Sequence, residues 1–292
     1  LYAQRGDFDF DELQNSALDV GTPVAIIHKS SDGKWFYVLS SLSDGWVKAS
    51  DVAICDDKVA KIFAESKDFI VSIAPKADLF LDTTLVKNYD VLRMGASLPL
   101  LKEEEDYWTV QIPNKDGHGN LVLADAHIPK YQAHQGFLPY TARTIYTQAF
   151  LMLDKPYGWG DMNGGQDCSR FLQMVYATVG LQFPRDSKNQ AQIGHELTSF
   201  DEKIGDKTRR EMLSRAQGAV TILPLKGHIM LFLGYDQDIP FVIHATSGYT
   251  KKIDERQIKY VVNRVAISDL SLGESGPKGS LLKRIIKIIE VR

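Results

Sequence analysis

The chain has 292 residues, too many for one small domain and enough for two or three. Its apolar share of 44% and charged share of 24% are those of an ordinary globular protein. A net charge of -3, with no long lysine or arginine run, gives no electrostatic case for a nucleic-acid partner, and no apolar run approaches the ~20 residues of a membrane span. Residue 1 is Leu, which points to a trimmed or processed amino terminus. Two cysteines, Cys55 and Cys168, make no disulfide framework and leave the compartment open. Cys55 follows the strand-like Val52-Ala53-Ile54 and reads as a small buried or edge residue.

The first ~60 residues read as all-β. A polar arm with aromatic anchors, Phe8 to Ser16, precedes a strand over Thr22 to His28. The turn Ser31-Asp32-Gly33, a strand over Trp35 to Leu39 and the turn Ser43-Asp44-Gly45 follow, with short strands at Trp46-Val47-Lys48 and Val52-Ala53-Ile54. The arrangement then recurs. Gly21, Trp35, Gly45 and Asp51 are spaced by 14, 10 and 6 residues, and Gly95, Trp108, Gly119 and Asp125 by 13, 11 and 6. Agreement in strand and turn pattern together predicts a tandem repeat of short-stranded meanders, each the size of an SH3-like barrel. Lys58 to Asp68 reads as a short helical or irregular linker.

From Pro139 the pattern changes. Thr141, a plausible cap, opens a helix to Leu153 with Ile145, Ala149, Phe150 and Leu153 on one face. Pro156 ends it and starts a glycine-rich loop, Tyr157-Gly158-Trp159-Gly160 to Gly164-Gly165, which runs into Cys168. Phe171, Leu172, Val175, Tyr176 and Val179 then fall at helical spacing, and Gly180 closes the helix. Cys168 is thereby placed in the first helical turn, where N–H groups and the dipole favour a thiolate. A polar helix is predicted over Lys188 to Leu197, strands over 218–265, and a closing strand or short helix over Leu281 to Val291. Helices first and strands afterwards predict an α+β domain.

A nucleophilic cysteine needs a base, usually histidine, oriented by a third polar group. Of the seven histidines, His28, His118, His127, His134 and His195 lie in turns, linkers or barrel loops and read as solvated. His228 opens the apolar strand Ile229 to Gly234, and His244 lies in the next strand, Phe241 to Thr246. With Tyr235 to Ile239 as the hairpin loop, facing residues sum to 474, which sets His228 opposite Thr246 and Met230 opposite His244. The two histidines are then diagonal neighbours on one face, ~5–8 Å apart. A register error of one would separate them. No His-x-x-His or Cys-x-x-Cys spacing supports a metal, and no cofactor is expected.

Pro156-Tyr157-Gly158-Trp159-Gly160, Asp167-Cys168-Ser169, Pro184-Arg185-Asp186-Ser187-Lys188-Asn189-Gln190, Gly227-His228-Ile229 and His244, in that order, resemble the NlpC-type papain-like peptidases of bacterial cell walls. The resemblance covers about residues 139–265. The upstream repeat looks like the two bacterial SH3-like domains that often precede this catalytic domain, with Thr22-Pro23-Val24, His28-Lys29-Ser30, Asp32-Gly33-Lys34-Trp35 and Gly45-Trp46-Val47 similar to the first. The expected architecture is multidomain. Residues 1–60 form the first SH3-like barrel with its arm, 61–136 the second barrel, and 137–292 an α+β papain-like catalytic domain.

The resemblance implies hydrolysis of the γ-D-glutamyl–diamino-acid bond of peptidoglycan stem peptides. In that reading Cys168 attacks the carbonyl carbon, His228 is base and then acid, and His244 orients it. Tyr157 and the Cys168 N–H face the oxyanion. Asp186 and Ser187, with Ser169 and Asp167, make the substrate-binding set, Asp186 suiting a free α-ammonium group; its bland alternative is a helix cap. Arg185 and Gln190 read as structural. Asp161 and Gln166 depart from the family pattern beside the thiol. Loops of the first barrel, the arm Asp11 to Gln14 and Trp35-Phe36-Tyr37 are candidates for shaping substrate choice. The expected partners are peptidoglycan or its released peptides, the expected state a monomer, and the location the cell envelope, or the cytoplasm for a recycling enzyme. The alternatives are a wall-binding protein with an inactive peptidase domain, and an amidase or acyltransferase on the same fold.

Overall fold

The structure, a computed structural model, describes residues 10–292. Phe8 and Asp9 of the expected arm lie outside the described residues. Two compact units are present: Asn15–Pro139 with Ala177–Leu181, and residues 10–14 with Tyr140–Tyr176 and Gln182–Arg292.

The first unit is β-rich. Strands β1 (Ala25–Lys29), β2 (Trp35–Leu39) and β3 (Asp44–Lys48) form a three-stranded antiparallel sheet. The period of two is plain in β2, where Phe36 and Val38 are buried and Trp35 and Leu39 are exposed. The predicted turn before it forms because Asp32 accepts the Lys34 N–H at 3.1 Å and Gly33 takes φ +72°. Helix α1 (Asp57–Ala64) fills the predicted linker, and its Phe63 packs on the core of the next sheet. The strands β4 (Phe69–Ser72), β5 (Lys76–Phe80), β6 (Asn88–Arg93), β7 (Ser97–Glu103), β8 (Tyr107–Lys115), β9 (Leu121–Pro129) and β10 (Ala133–Gln135) make a seven-stranded sheet in the order β10-β4-β7-β8-β9-β5-β6. Ile70, Leu79, Leu92, Val110, Ile112 and Ile128 fill its core.

The repeat read from the sequence is only partly one of structure. Gly21 and Gly95 share φ +83°, but Trp35 is 39% exposed while Trp108 is 6% exposed and donates its indole N–H to the Ala133 carbonyl at 3.3 Å. One half gives three strands and the other seven, and neither strand order closes on itself. A pair of closed barrels is therefore not established. Val52-Ala53-Ile54 is not a strand: only Ile54 bridges, to Asn120. Cys55, which follows that bridge, is exposed.

The second unit is α+β. Helix α2 (Ala142–Leu151) is capped by Thr141, whose hydroxyl accepts the Thr144 N–H at 3.1 Å. Helix α3 (Cys168–Ala177) buries Phe171, Leu172, Val175 and Tyr176 of the predicted stripe, Val179 lying past its end, and its Tyr176 hydroxyl donates to the Ala219 carbonyl at 3.0 Å. Helix α4 (Ser187–Gln190) is one turn, much shorter than predicted. The chain breaks at Gly194, φ +81°, and becomes strand β11 (His195–Ser199) because an edge partner is available for its backbone. Helix α5 (Asp206–Leu213) follows. Strands β12 (Thr221–Leu225), β13 (His228–Asp236), β14 (Ile239–Ile253) and β15 (Arg256–Asp269) lead to helix α6 (Leu281–Arg284) and strand β16 (Lys287–Glu290), so the closing segment is both helix and strand. The sheet order is β11-β16-β12-β13-β14-β15, antiparallel in every pair.

Candidate active site

The loop before Cys168 is held by its own polar groups. The Gln166 side-chain amide donates to the Pro156 carbonyl at 2.9 Å, and Tyr157 bridges to Gln166 in parallel fashion, which closes the loop at its neck. Gly160, Asp161 and Asn163 lie at φ +54°, +67° and +54°. At Gly160 a Cβ would overlap the Gln14 carbonyl oxygen, so only glycine fits. Gln14 also donates its side-chain amide to the Gly160 carbonyl at 2.9 Å. Residues 10–14 thus sit against the loop, with the Phe10 ring 6.2 Å from that of Tyr157 and 5.6 Å from that of Trp159.

Asp167 starts α3. Its Oδ1 accepts the Arg170 N–H at 2.9 Å, as an N-cap does, and its Oδ2 accepts the Gly160 N–H at 3.2 Å. Arg185 meets the same carboxylate as a fork, Nη1 to Oδ1 at 3.0 Å and Nη2 to Oδ2 at 2.7 Å. Ser169 donates to Asp167 Oδ1 at 3.0 Å and accepts from Arg185 at 3.1 Å. Asp161 joins this buried cluster, 3.5 Å from both Arg170 Nε and Arg185 Nη2. The departure noted at Asp161 is thus a carboxylate facing two guanidinium groups. Gln190 ties the next turn in, donating to the Ser169 carbonyl at 2.9 Å and to the Pro184 carbonyl at 2.8 Å.

The two histidines meet. His228 Nε2 and His244 Nδ1 are 2.7 Å apart, with ring centroids at 5.0 Å. The hairpin that brings them together differs from the predicted one. Its turn is two residues, Gln237 and Asp238, both at positive φ, so that Asp236 faces Ile239 and Gly234 faces Phe241. A bulge at Leu233 then adds one residue to β13, and Phe232 faces Val242 and Leu231 faces Ile243. The pairing sum moves from 475 at the turn to 474 beyond the bulge, the value that places the histidines on one face. His228 leads directly into Ile229, whose N–H is directed at the Cys168 sulfur, as is that of Ser169.

The ring partners fix which atom is available. His228 uses Nε2 on His244, which leaves Nδ1 as its other ring nitrogen. His244 in turn places Nε2 2.7 Å from the Ser268 hydroxyl. Burial dominates the charges. It pushes the Cys168 thiol up to about 12, reinforced by the Asp167 carboxylate and opposed by the Ile229 and Ser169 N–H groups and by Arg185. Burial also holds His228 well below the usual imidazole range, helped by His244 and by the Arg284 cation. It brings His244 down to about 4, again with Arg284. Burial therefore opposes the helix terminus that the sequence reads as favouring a thiolate, and favours the uncharged forms of Cys168, His228 and His244.

The remaining expected site residues fall in two groups. Tyr157 is half-buried, and burial together with the Cys168 and Asp167 charges raises its hydroxyl above the ordinary tyrosine range. Its backbone N–H is held by the Asn263 carbonyl at 3.0 Å. Asp186 is exposed and caps α4, accepting the Asn189 N–H at 2.9 Å and the Asn189 side-chain amide at 2.7 Å, and Ser187 is the first residue of that helix. Asp167 and Ser169 have their polar atoms directed at Arg185 and the helix terminus. Sequence reasoning missed Ser268 and Arg284. No group of metal-binding side chains exists among the described residues, and no described helix is long and apolar enough to cross a membrane.

Comparison with known proteins places these motifs. Residues 154–266 match the NlpC/P60 family, and residues 2–48 match an SH3 domain of the SH3b1 type. The chain is 24% identical over 207 residues to a gamma-D-glutamyl-L-lysine dipeptidyl-peptidase of Bacillus cereus, a match that spans 67% of this chain and 59% of the relative. It superposes on an NlpC/P60 endopeptidase from Photobacterium damselae subsp. piscicida with a TM-score of 0.80 at 23% identity, over 97% of this chain and 66% of that one. An NlpC/P60 family protein from Bacillus cereus superposes with a TM-score of 0.66 at 18% identity, over 94% of this chain and 81% of that one. This chain therefore spans less than two thirds of the first two relatives. The residues that carry Cys168, His228 and His244 form an NlpC/P60 family domain, joined in one chain to an SH3b1-type SH3 domain on its amino-terminal side.

Proposed function

We propose that the chain is a cysteine peptidase that hydrolyses peptidoglycan stem peptides at the γ-D-glutamyl–diamino-acid bond. The observation that carries the reading is the 2.7 Å contact between the His228 and His244 rings, with the N–H of Ile229, next to His228, directed at the Cys168 sulfur. It rests on an NlpC/P60 domain, and a distant relative is a γ-D-glutamyl peptidase.

The chemistry follows from the uncharged forms of Cys168 and His228. As Cys168 attacks the carbonyl carbon, its proton passes to His228 Nδ1, a sulfur–carbon bond forms and the carbonyl oxygen gains the charge. The Cys168 N–H and the Tyr157 hydroxyl face that oxyanion. The carbon–nitrogen bond then breaks, and His228 gives the proton to the departing amine. Water attacks the thioester with His228 as base, which releases the γ-glutamyl carboxylate and restores the thiol. A thiolate is required only as the bond forms, so a high resting pKa is compatible with turnover.

The proposed domain partition is an SH3-like region over 1–60, a second β domain over 61–136 and the catalytic domain over 137–292. The SH3-like region supports peptidoglycan as partner and action in the cell envelope. Asp186, with both carboxylate oxygens on the α4 terminus, offers an ammonium group its exposed side only. The proposal is tested by hydrolysis of a free L-Ala-γ-D-Glu-diaminopimelate peptide beside the same peptide carrying a sugar on alanine. Release of the diamino acid from either supports the peptidase, and its release from neither overturns it. A selective loss on the free peptide in Asp186→Ala assigns that residue to the ammonium group.

A further inference from the structure

We infer that Ser268 is a positioning residue that sets the proton arrangement of the whole His244–His228 line. The inference rests on the proposed roles of Cys168 and His228. Its geometry is independent of them.

His244 is 1% exposed and both its ring nitrogens are engaged, Nδ1 by His228 and Nε2 by Ser268, each at 2.7 Å. A neutral imidazole has one N–H and one lone pair, so the direction of one bond fixes the direction of the other. Two arrangements exist. In one, Ser268 accepts from His244 Nε2–H, His244 Nδ1 accepts from His228 Nε2–H, and His228 Nδ1 carries the lone pair that takes the thiol proton. In the other, Ser268 donates to His244 Nε2, His244 Nδ1–H donates to His228 Nε2, and His228 carries its proton on Nδ1. That second His228 has no site for the thiol proton. The reaction thus needs Ser268 as an acceptor, two residues removed from the chemistry.

The fold places Ser268 there by a specific device. The β14–β15 ribbon turns at Asp254-Glu255, and its outer part pairs Ile253 with Arg256 and Gly248 with Val261, a sum of 509. In that register Ser268 would lie on the face opposite to His244. A bulge between Val261 and Arg264, with Asn263 at φ +52°, adds one residue to β15. Beyond it Thr246 faces Arg264, His244 faces Ala266 and Val242 faces Ser268. Ser268 thereby shares the face of His244 as its diagonal neighbour, and Ile267 turns to the other side at 38% exposure. The same bulge presents the Asn263 carbonyl to the Tyr157 N–H at 3.0 Å. One inserted residue therefore places the far end of the histidine line and also holds the backbone of Tyr157, at the neck of the Cys168 loop.

The test is a nitrogen NMR measurement on the full chain with 15N-labelled histidine, paired with kinetics on the stem peptide. Wild type is expected to show His244 protonated at Nε2 and bare at Nδ1, and His228 protonated at Nε2. Ser268→Ala is expected to populate the opposite His244 tautomer and to lower kcat about tenfold, the loss of one hydrogen bond, with KM changed less than twofold. Ser268→Thr, which keeps the hydroxyl, should restore both. A wild-type spectrum with the proton on His244 Nδ1 overturns the inference whether or not the alanine variant folds, and so does an alanine variant with unchanged kcat. A protein that shows the expected tautomers and hydrolyses no stem peptide overturns the proposed function while leaving the proton arrangement in place.

Discussion

Acid should destabilise the catalytic unit through its buried histidines before most carboxylates are protonated. His244 is held from the ordinary 6.5 down to about 4 by burial, with the Arg284 cation adding to it, and His228 moves in the same direction. The unfolded chain therefore binds protons that the folded chain refuses. The His244 contribution is whole above pH 6.5, falls as pH drops and levels off near pH 4. At pH 4.5 His244 alone should cost roughly 2.5 kcal/mol relative to pH 8. Hydrogen exchange at the β13 and β14 amides reads this unit by itself. Wild type should lose roughly 2.5 kcal/mol more than His244→Gln between pH 8 and pH 4.5. Equal losses in the two proteins would refute the reasoning, because they would mean that His244 is protonated in the folded state as readily as in the unfolded one.

Other perturbations follow from the same geometry. Arg185→Ala leaves the buried Asp167 carboxylate without its fork and should cost about 3–5 kcal/mol, read as a lowered unfolding midpoint; a loss within ~0.5 kcal/mol would contradict the clamp. Gly160→Ala forces a Cβ into the Gln14 carbonyl at a left-handed position and should cost at least ~1–3 kcal/mol, with a parallel fall in activity as the loop shifts. At pH 7.5 iodoacetamide should modify the exposed Cys55 well before the buried Cys168, as followed by peptide mass spectrometry. Faster labelling of Cys168 would mean a preformed thiolate and would contradict the uncharged form of Cys168.

The sequence made the α3 start and stripe and the Thr141 cap legible because they depend on residues within one or two turns of each other. It also placed the histidine pair on one face, although through a loop of the wrong length. The five-residue loop and the true two-residue turn with a bulge at Leu233 reach the same register. The bulges themselves could not be read: one extra residue in β13 or β15 leaves no compositional mark, yet it decides which side chains share a face. Ser268 was hidden for that reason. The resemblance implied substrate contacts for Asp167 and Ser169, and only the fold brings Arg185 onto them. The short α4 was overextended because Ala191 to Leu197 suits a helix locally, and the edge pairing with β16, nearly a hundred residues away, is what claims that backbone. The repeat shows the same limit. Equal spacing of Gly, Trp and Asp carried the turns across both halves, but strand number and the burial of Trp35 against Trp108 depend on partners distant in sequence.

The central claim is that Cys168 forms a thioester with the γ-glutamyl carbonyl. It is tested most directly by acid-quenching wild type during turnover of L-Ala-γ-D-Glu-diaminopimelate and reading the mass of the Cys168 peptide. A dipeptidyl adduct on Cys168 and release of free diaminopimelate are expected, and neither product with Cys168→Ala. Hydrolysis that persists in Cys168→Ala, or turnover with the adduct on another residue, would contradict it.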